Sequence, residues 1–520
     1  MFPLLNCKRV SALLLVLLLI STIPLAAHAE APAKHIEISV AIWNADATIT
    51  TPEEDAILKT ICDKLNITLT PVNITWDDYE QKIQVWAASD QLPDVFSIDA
   101  INKPYYSTWI RESIVRSLPE DLSIYPNLNN VLSGADYQAH KWSDGLFYCI
   151  PRPTYESSKM FANSLGLLIR KDWMEALGYT NEPDSLESFI HMLDDIAKNN
   201  PEGRSNVVPF TAFDYSFLTW VMKPYSTMCV DGSNPWVRSD GKWIPAILTP
   251  EAKEGVLAMA KMWQAGLVDS DIVTLKEDEG MDKFASGRAA SYAQGGYPTI
   301  LRIAEEKFKK TYPDKDFSEL VTLVKPWKNK DGTLYYQESV TPWSESYINY
   351  AVDDEKLERI LMLYDYLLSD EGLMLVRNGI EGRDYEYVDG QFKLLGDTPL
   401  QSRYPFLREG ANFLATWDED YIYESAQFSP YIHDLCNEML QWYWDNGVGD
   451  SMFQDFRNDY LRTPLMDTMT IEAADDMLIA LTSEDPGAAW DVILQHHLVS
   501  GYQEIIDEFN ETAKQNGIIP

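Results

Sequence analysis

From Ile36 to Ile98 the chain reads IEISVAIWNADATITTPEEDAILKTICDKLNITLTPVNITWDDYEQKIQVWAASDQLPDVFSI, and the periods inside this stretch decide the fold. Ile36, Ile38, Val40 and Ile42 alternate with Glu37, Ser39 and Ala41, a period of two that predicts a strand. Thr51-Pro52-Glu53-Glu54 follows: Thr51 suits a cap, Pro52 the first helical position and Glu54 the return bond of a capping box. Ile57, Leu58, Ile61 and Leu65 then share one helical face. A second strand is expected near 67–74, and a helix follows with its apolar stripe at Tyr79, Ile83, Trp86 and Ala87. A short buried strand over 94–98 comes after Leu92-Pro93. Strand, helix, strand, helix, strand is the rhythm of a mostly parallel α/β sheet.

The rhythm resumes downstream. Residues 165–169 read as a strand, and Asp184 with Glu187 as a capping box. The helix it opens carries Leu186, Phe189, Ile190, Leu193, Ile196 and Ala197 on one face. A buried strand is expected over 289–292, before Gly295-Gly296. Leu357, Ile360, Leu361, Tyr364, Leu367 and Leu368 mark another amphipathic helix, and beyond about residue 400 the chain reads mostly helical.

Composition bounds the function. The 520 residues carry 80 acids against 42 Lys and Arg, a net charge of −38. That balance excludes a general nucleic-acid binder, which must neutralise phosphates, and a protein held on anionic lipid by a basic face. The N-terminus has Lys8 and Arg9, an apolar run through Ile20, Pro24 and then Ala27-His28-Ala29. This is the progression of a secretory signal over residues 1–29, cleaved after Ala29. Cys7 precedes the run, on the wrong side for a lipid-accepting cysteine. Cys62, Cys149, Cys229 and Cys436 make no C-x-x-C pair, so neither a zinc ribbon nor a redox motif is indicated. The serine-hydrolase elbow, the P-loop and the H-E-x-x-H zinc helix are all missing from the sequence. Gly287 and Gly295-Gly296 form no dinucleotide fingerprint, and no cofactor or metal is expected. Aromatic residues beside polar ones, such as Trp43-Asn44, Trp220, Trp243, Tyr297 and Trp343-Ser344-Glu345, suit the C–H faces of sugar rings.

Several segments carry a resemblance. Trp76-Asp77-Asp78-Tyr79-Glu80-Gln81-Lys82-Ile83, with Ala87-Ala88-Ser89-Asp90-Gln91-Leu92-Pro93-Asp94-Val95, is similar to a helix and "ASG-x-x-PDV" turn of one family. Leu168-Ile169-Arg170-Lys171-Asp172-Trp173 resembles its "Y-I-R-K-D-W" segment, and Phe284-Ala285-Ser286-Gly287-Arg288-Ala289-Ala290 its "F-x-x-G-K-A-A-M" strand entry. Tyr366-Leu367-Leu368-Ser369-Asp370-Glu371-Gly372 and Asn378-Gly379-Ile380-Glu381-Gly382-Arg383-Asp384-Tyr385 are similar to two further segments. The family is that of extracellular solute-binding proteins of ABC importers, in its large oligosaccharide-binding group. The resemblance implies a type II periplasmic-binding-protein fold: two α/β lobes joined by two or three crossings, with the ligand between them. Lobe one would take 36–155 and 290–345, and lobe two 156–289 and 346–520.

The implied function is capture of an oligosaccharide for membrane permease subunits, by a monomer without catalysis. A secreted glycosidase or polysaccharide lyase, or the sugar-binding module of a sensor, remains an alternative. Cleft positions expected from strand ends and turns are Trp43, Trp220, Tyr297 and Trp343 for stacking, Asp99 for hydroxyls, and Arg383 for a hydroxyl or an acidic sugar. Many relatives carry a calcium loop after the helix that starts at Leu186; here residues 199–209 keep one acid, Glu202, and add Arg204, so no calcium is expected there. Export without a lipid anchor has a direct check: N-terminal sequencing of the secreted protein should begin at Glu30, and a blocked or acylated terminus would refute it.

Overall fold

The computed structural model describes residues 34–101, 103–138, 140–153, 162, 165–212, 220–225, 236–272, 274–276, 278–336, 344–388, 391–396, 400–408, 410–414, 428–449, 465–466, 469 and 471–515. The signal segment therefore lies outside the described residues.

Strand β1 (Ile36–Trp43) pairs in parallel with β2 (Ile67–Ile74) along its whole length and with β3 (Val95–Ile98) on its other side. β4 (Ile150–Pro151) closes the far edge, giving a five-stranded sheet whose remaining member is Glu345–Ile348, here β9. β9 runs antiparallel to both β3 and β4. Pro71 is tolerated inside β2 because that strand lies at the sheet's edge, where a missing N–H costs no ladder bond.

A second, four-stranded sheet holds β5 (Gly166–Arg170), β6 (Val208–Ala212), β7 (Ala289–Gln294) and β8 (Val321–Leu323), in the order β8-β5-β7-β6. Its two faces feed separate cores. Leu167 and Ile169 point into one with Phe189 and Phe210, while Leu168 points into the other with Phe284 and Tyr292. Helices Ala473–Leu481, Pro486–His497 and Gln503–Gln515 complete the first of these cores, as the helical reading of the chain's end expected.

Sheet membership corrects the lobe boundaries expected from sequence. β7 pairs with β5 and β6, so the stretch after residue 289 belongs to the second sheet. The segment from Tyr347 to Leu414 packs into the core of the first. Among the described residues the chain changes sheet after Pro151, after Tyr336 and after Leu414, which makes three crossings. The reason for the misassignment is physical: a buried strand such as β7 looks the same in sequence whichever sheet it joins.

Two caps are also shifted, one by four residues and one by a single residue. The Ala56–Leu65 helix is capped by Asp55, whose carboxylate accepts from the backbone N–H of Ile57 and Leu58, while Thr51 and Glu54 sit in the preceding turn. The Leu186–Asn199 helix is capped by Ser185 and Ser188 in a reciprocal pair, with Asp184 accepting from both hydroxyls.

Past that helix, Glu202 gathers the surrounding donors. Its carboxylate accepts from Arg170, Arg204, the Trp173 indole (2.9 Å) and the Tyr312 hydroxyl (2.9 Å). Arg170, fully buried, also binds Asp172 through two N–H groups and lies 4.4 Å from the Trp173 ring. Burial alone would raise the Glu202 carboxyl, but hydrogen bonds from Arg204, Trp173 and Arg170 outweigh it and hold the pKa at about 2. A pKa lowered on folding stabilises the protein above the unfolded value of about 4.5, and that contribution drains away as pH falls toward 2. Glu202→Gln should therefore lower the denaturation midpoint near neutral pH. The gap from wild type should shrink between about pH 4.5 and 2; a gap constant across that range would show that the carboxylate is not the stabilising group.

Candidate functional site

Parallel strands end at one edge of a sheet, and in open α/β sheets ligands bind outside that carboxyl edge. Here Trp43 is the last residue of β1, Trp76 stands two beyond the end of β2, and Asp99 is the first residue after β3. Glu345 opens β9 opposite both Ile98 and Pro151, so an antiparallel strand delivers its first side chain to the same edge. Arg152 follows β4 there.

The rings form one stack. Trp43 is fully buried, with Trp76 at 4.8 Å and 22°, Tyr79 at 5.0 Å and Phe413 at 4.6 Å. Trp76 and Tyr79 are half-buried and line an open depression of about 620 Å³ with Asp77, Asp78, Glu80 and Gln84. The Thr75 N–H donates to Asp78 at 2.8 Å, a local turn that holds Trp76 and Asp77 outward at the start of the Tyr79–Ala88 helix. The Tyr105 hydroxyl donates to Glu80 at 2.9 Å, and Lys103 lies 3.7 Å from the same carboxylate. Behind the stack, Arg152 lies over the Phe413 ring at 4.8 Å and donates to the Asn412 carbonyl.

Glu345 is the unusual group. It is 1% exposed, and one oxygen, Oε2, accepts from the Ala100 N–H (3.1 Å), the Ile101 N–H (3.3 Å) and the Tyr347 hydroxyl (2.9 Å). Its other oxygen, Oε1, is buried and has no hydrogen-bond partner. Burial, and next the charge of Asp99, push its pKa up to about 8 despite those three donors. The direction of that shift favours the protonated form of the carboxyl, which can donate a hydrogen bond.

The expected residues divide. Trp43 and Asp99 come together at the carboxyl edge of the first sheet, Trp43 as the buried backing of the stack and Asp99 half-buried beside Glu345. Tyr297 lies at the corresponding end of β7, half-buried, capping the Pro298–Thr311 helix. Gly295 makes room there, since a Cβ on it would come within 2.2 Å of the Tyr297 ring. Trp220 is not on a cleft wall: it is 1% exposed in the core of the second sheet, edge-on to Trp327 at 5.5 Å. Arg383 is exposed, with its guanidinium over Tyr404 at 5.3 Å, while the buried centre of its turn is Asp384. Trp343 lies outside the described residues. Trp76, Tyr79, Phe413 and Glu345 were missed as site residues. For Trp76 a signal existed, because it stands two residues beyond the predicted end of β2.

Among the described residues no group of three or more His, Cys, Asp or Glu could hold a metal ion, and no helix is long and apolar enough to cross a membrane.

The fold is of the two-lobed, type II class seen in solute-binding proteins. The chain belongs to the bacterial extracellular solute-binding protein family, whose model matches residues 50–355. It is 24% identical over 349 residues to the polygalacturonan/rhamnogalacturonan-binding protein YtcQ of Bacillus subtilis (strain 168), covering 64% of each chain. It is 21% identical to the Lipoprotein LipO of the same organism, over 62% of this chain and 63% of that one. The match thus spans less than two thirds of either relative. The calcium-free crystal structure of the alginate-binding protein AlgQ2 superposes with a TM-score of 0.69 at 16% identity, over 92% of this chain and 98% of that one. The S. pneumoniae ABC-transporter substrate binding protein FusA, in complex with kestose, gives 0.69 at 14%, over 93% and 99%.

The placement of Trp220 yields a measurable expectation. Trp220→Ala should cost about 3–5 kcal/mol of stability by denaturant titration, as for large aromatics cut from a core. A loss below about 1 kcal/mol would return the ring to the list of cleft candidates.

Proposed function

We propose that this protein is the extracellular substrate-binding component of an ABC importer, and that it captures an oligosaccharide between its lobes and passes it to permease subunits. The observation that carries this reading is the carboxyl-edge rim of the first sheet. There the half-buried rings of Trp76 and Tyr79 stand beside Asp77 and Glu80 on an open depression. A flat ring meets the C–H face of a sugar, and flanking carboxyls accept from its hydroxyls. Family membership and the names of YtcQ and of FusA with kestose support the ligand class. Tyr297, at the end of β7, would supply a ring from the second lobe, and Trp343 and Arg383 stay candidates for contacts from the crossing and the outer turn. The protein acts exported, as a monomer, and it binds its sugar without chemical change.

Hydroxyl bonds exchange for bonds to water and leave little net gain, so the rings should dominate affinity. Trp76→Ala should weaken oligosaccharide binding by about 1–3 kcal/mol in calorimetry. Its stability cost should stay well below that of a fully enclosed tryptophan, since the ring is half-buried. The sugar should be recovered at full length. Shortened products would instead assign Glu345 and Asp99 to hydrolysis, and unaltered affinity in the variant would remove Trp76 from the site.

A further inference from the structure

The turn that carries Arg383 leaves one cation without a counter-charge among the described residues, and the helices place that turn at the rim's edge. Because β1 and β2 are parallel, the Ala56–Leu65 helix between them starts at the end where β1 finishes and runs back. At its C-terminal end Lys64 pairs with Glu371, in the first turn of the Asp370–Asn378 helix, at 2.8 Å. At its N-terminal end the Asp55 carboxylate accepts from the Phe406 N–H at 2.8 Å. Tyr404, two residues before Phe406, donates its hydroxyl to Asp384 at 2.8 Å. Residues 379–384 therefore lie at the carboxyl-edge end of the first lobe. The stretch from Arg403 onward leads to Phe413, whose ring is 4.6 Å from that of Trp43.

The turn is built around Asp384, which is fully buried and accepts from the Ile380 N–H (2.7 Å), the Tyr404 hydroxyl and Arg403 (2.6 Å). Gly379 has a φ of 82°, and a Cβ there would come within 2.6 Å of this carboxylate. Asp384 thus balances Arg403, and Arg383 is left over. Arg383 is exposed, with its guanidinium 5.3 Å from the centre of the Tyr404 ring; that of Arg403 lies 5.8 Å from the same ring. Among the described residues no carboxylate is within ion-pairing distance of Arg383, and Glu386, in the hairpin that follows, is taken by Lys393 at 3.2 Å. The Arg403 Nε is buried without a hydrogen-bond partner among the described residues. Acids outnumber Lys and Arg by 80 to 42, so partners for Arg383 are not scarce; the turn holds it clear of them. We propose that Arg383 and Arg403 form an anion subsite at this edge, and that the captured oligosaccharide carries a uronate carboxylate that docks there. The proposal deepens the oligosaccharide reading above and rests on it.

The chemistry follows from the shape of the side chain. A ring beneath a guanidinium steadies it by cation–π attraction and leaves its planar N–H fork unused. That fork matches the two oxygens of a carboxylate. Arg403 adds a second positive charge beside the same ring, and Asp384 repels little because its own charge is already bonded to Arg403 and Tyr404. A neutral sugar at this place gains only hydroxyl bonds, which replace bonds to water and yield little. The gain for a uronate is modest as well, because Arg383 is exposed and salt screens it. Charge at this turn therefore sets which sugar is preferred, while the rings carry most of the affinity.

The test uses the full chain and matched pairs of tetrasaccharides. Galacturonate, mannuronate and glucuronate tetramers are each set beside the carboxyl-reduced counterpart, which lacks the charge and keeps the ring configuration. Calorimetry near neutral pH and at low salt should find at least one uronate bound about fivefold or more tighter than its reduced counterpart, with the gap closing as salt is added. Arg383→Gln should remove most of that gap. Arg383→Lys should keep part of it, since it retains the charge and loses the fork. Because the side chain is exposed, both variants should melt close to wild type, which separates a lost subsite from a lost fold. Equal or tighter binding of the reduced sugar in every pair overturns the anion subsite and leaves the oligosaccharide reading intact. A gap that Arg383→Gln leaves unchanged overturns its assignment to this turn. Binding of none of the tetramers overturns the oligosaccharide reading and the subsite with it.

Discussion

The parallel register of β1 with β2 and β3 is the constraint from which the rest follows. Residues Ile36 to Trp43 pair one to one with Ile67 to Ile74, and Val40 and Ala41 pair with Val95 and Phe96. Parallel pairing forces the strands to finish at the same edge, and the crossover helices must then pack on the faces. The residues that leave each strand, Trp43, Trp76 and Asp99, are therefore neighbours although they are far apart in sequence. β9 breaks the pattern. It returns from the second sheet and runs antiparallel, so its first residue reaches the edge where the others finish. One inverted strand thus places Glu345 beside Asp99.

Trp43 converts that geometry into a usable surface. Its indole is fully buried between Trp76, Tyr79 and Phe413, so its own faces are spent on packing. What it supplies is position. A ring held on one side by another ring keeps its outer face flat and immobile, and a preformed platform loses less entropy when a ligand arrives. Phe413 belongs to the last stretch of the first lobe before the chain crosses again, and its carbonyl accepts from Ser97 of β3 at 3.1 Å. The end of that stretch is therefore anchored directly to β3.

The α/β rhythm was readable because strand and helix periods differ and the apolar stripes were long. β1, β2 and β3 lie within a residue of where alternation and turn signals put them, and the Leu186–Asn199 helix fills its predicted face with Phe189, Leu193 and Ile196. Sheet partnership was not readable. β7 is small and apolar, and nothing in Ala289-Ala290-Ser291-Tyr292 says that it pairs with β5 instead of β3. Among candidate residues, strand-end logic placed Trp43 and Asp99 at the carboxyl edge of the first sheet because a strand end is a local feature. It also brought forward Trp220, because a tryptophan in a loop of unknown depth looks the same whether it packs on Trp327 or faces solvent. Glu345 was passed over for the opposite reason: a glutamate in a chain with 80 acids reads as surface, and its burial depends on a partner strand far away in sequence.

The two lobes treat buried charge in contrasting ways, and the contrast separates architecture from function. In the second lobe Glu202 is surrounded by Arg170, Arg204, Trp173 and Tyr312, and its pKa is driven down. Every oxygen is satisfied, so removing any partner would strand the others. This is the signature of a structural network. In the first lobe Glu345 has no cation partner among its hydrogen bonds, one unsatisfied oxygen and a pKa driven up by burial and a neighbouring carboxylate. A core that needed only stability would replace such a group with an apolar side chain, because desolvation without compensation is a cost. At the common edge of the parallel strands, beside Asp99, it is the buried charge that stability alone does not explain.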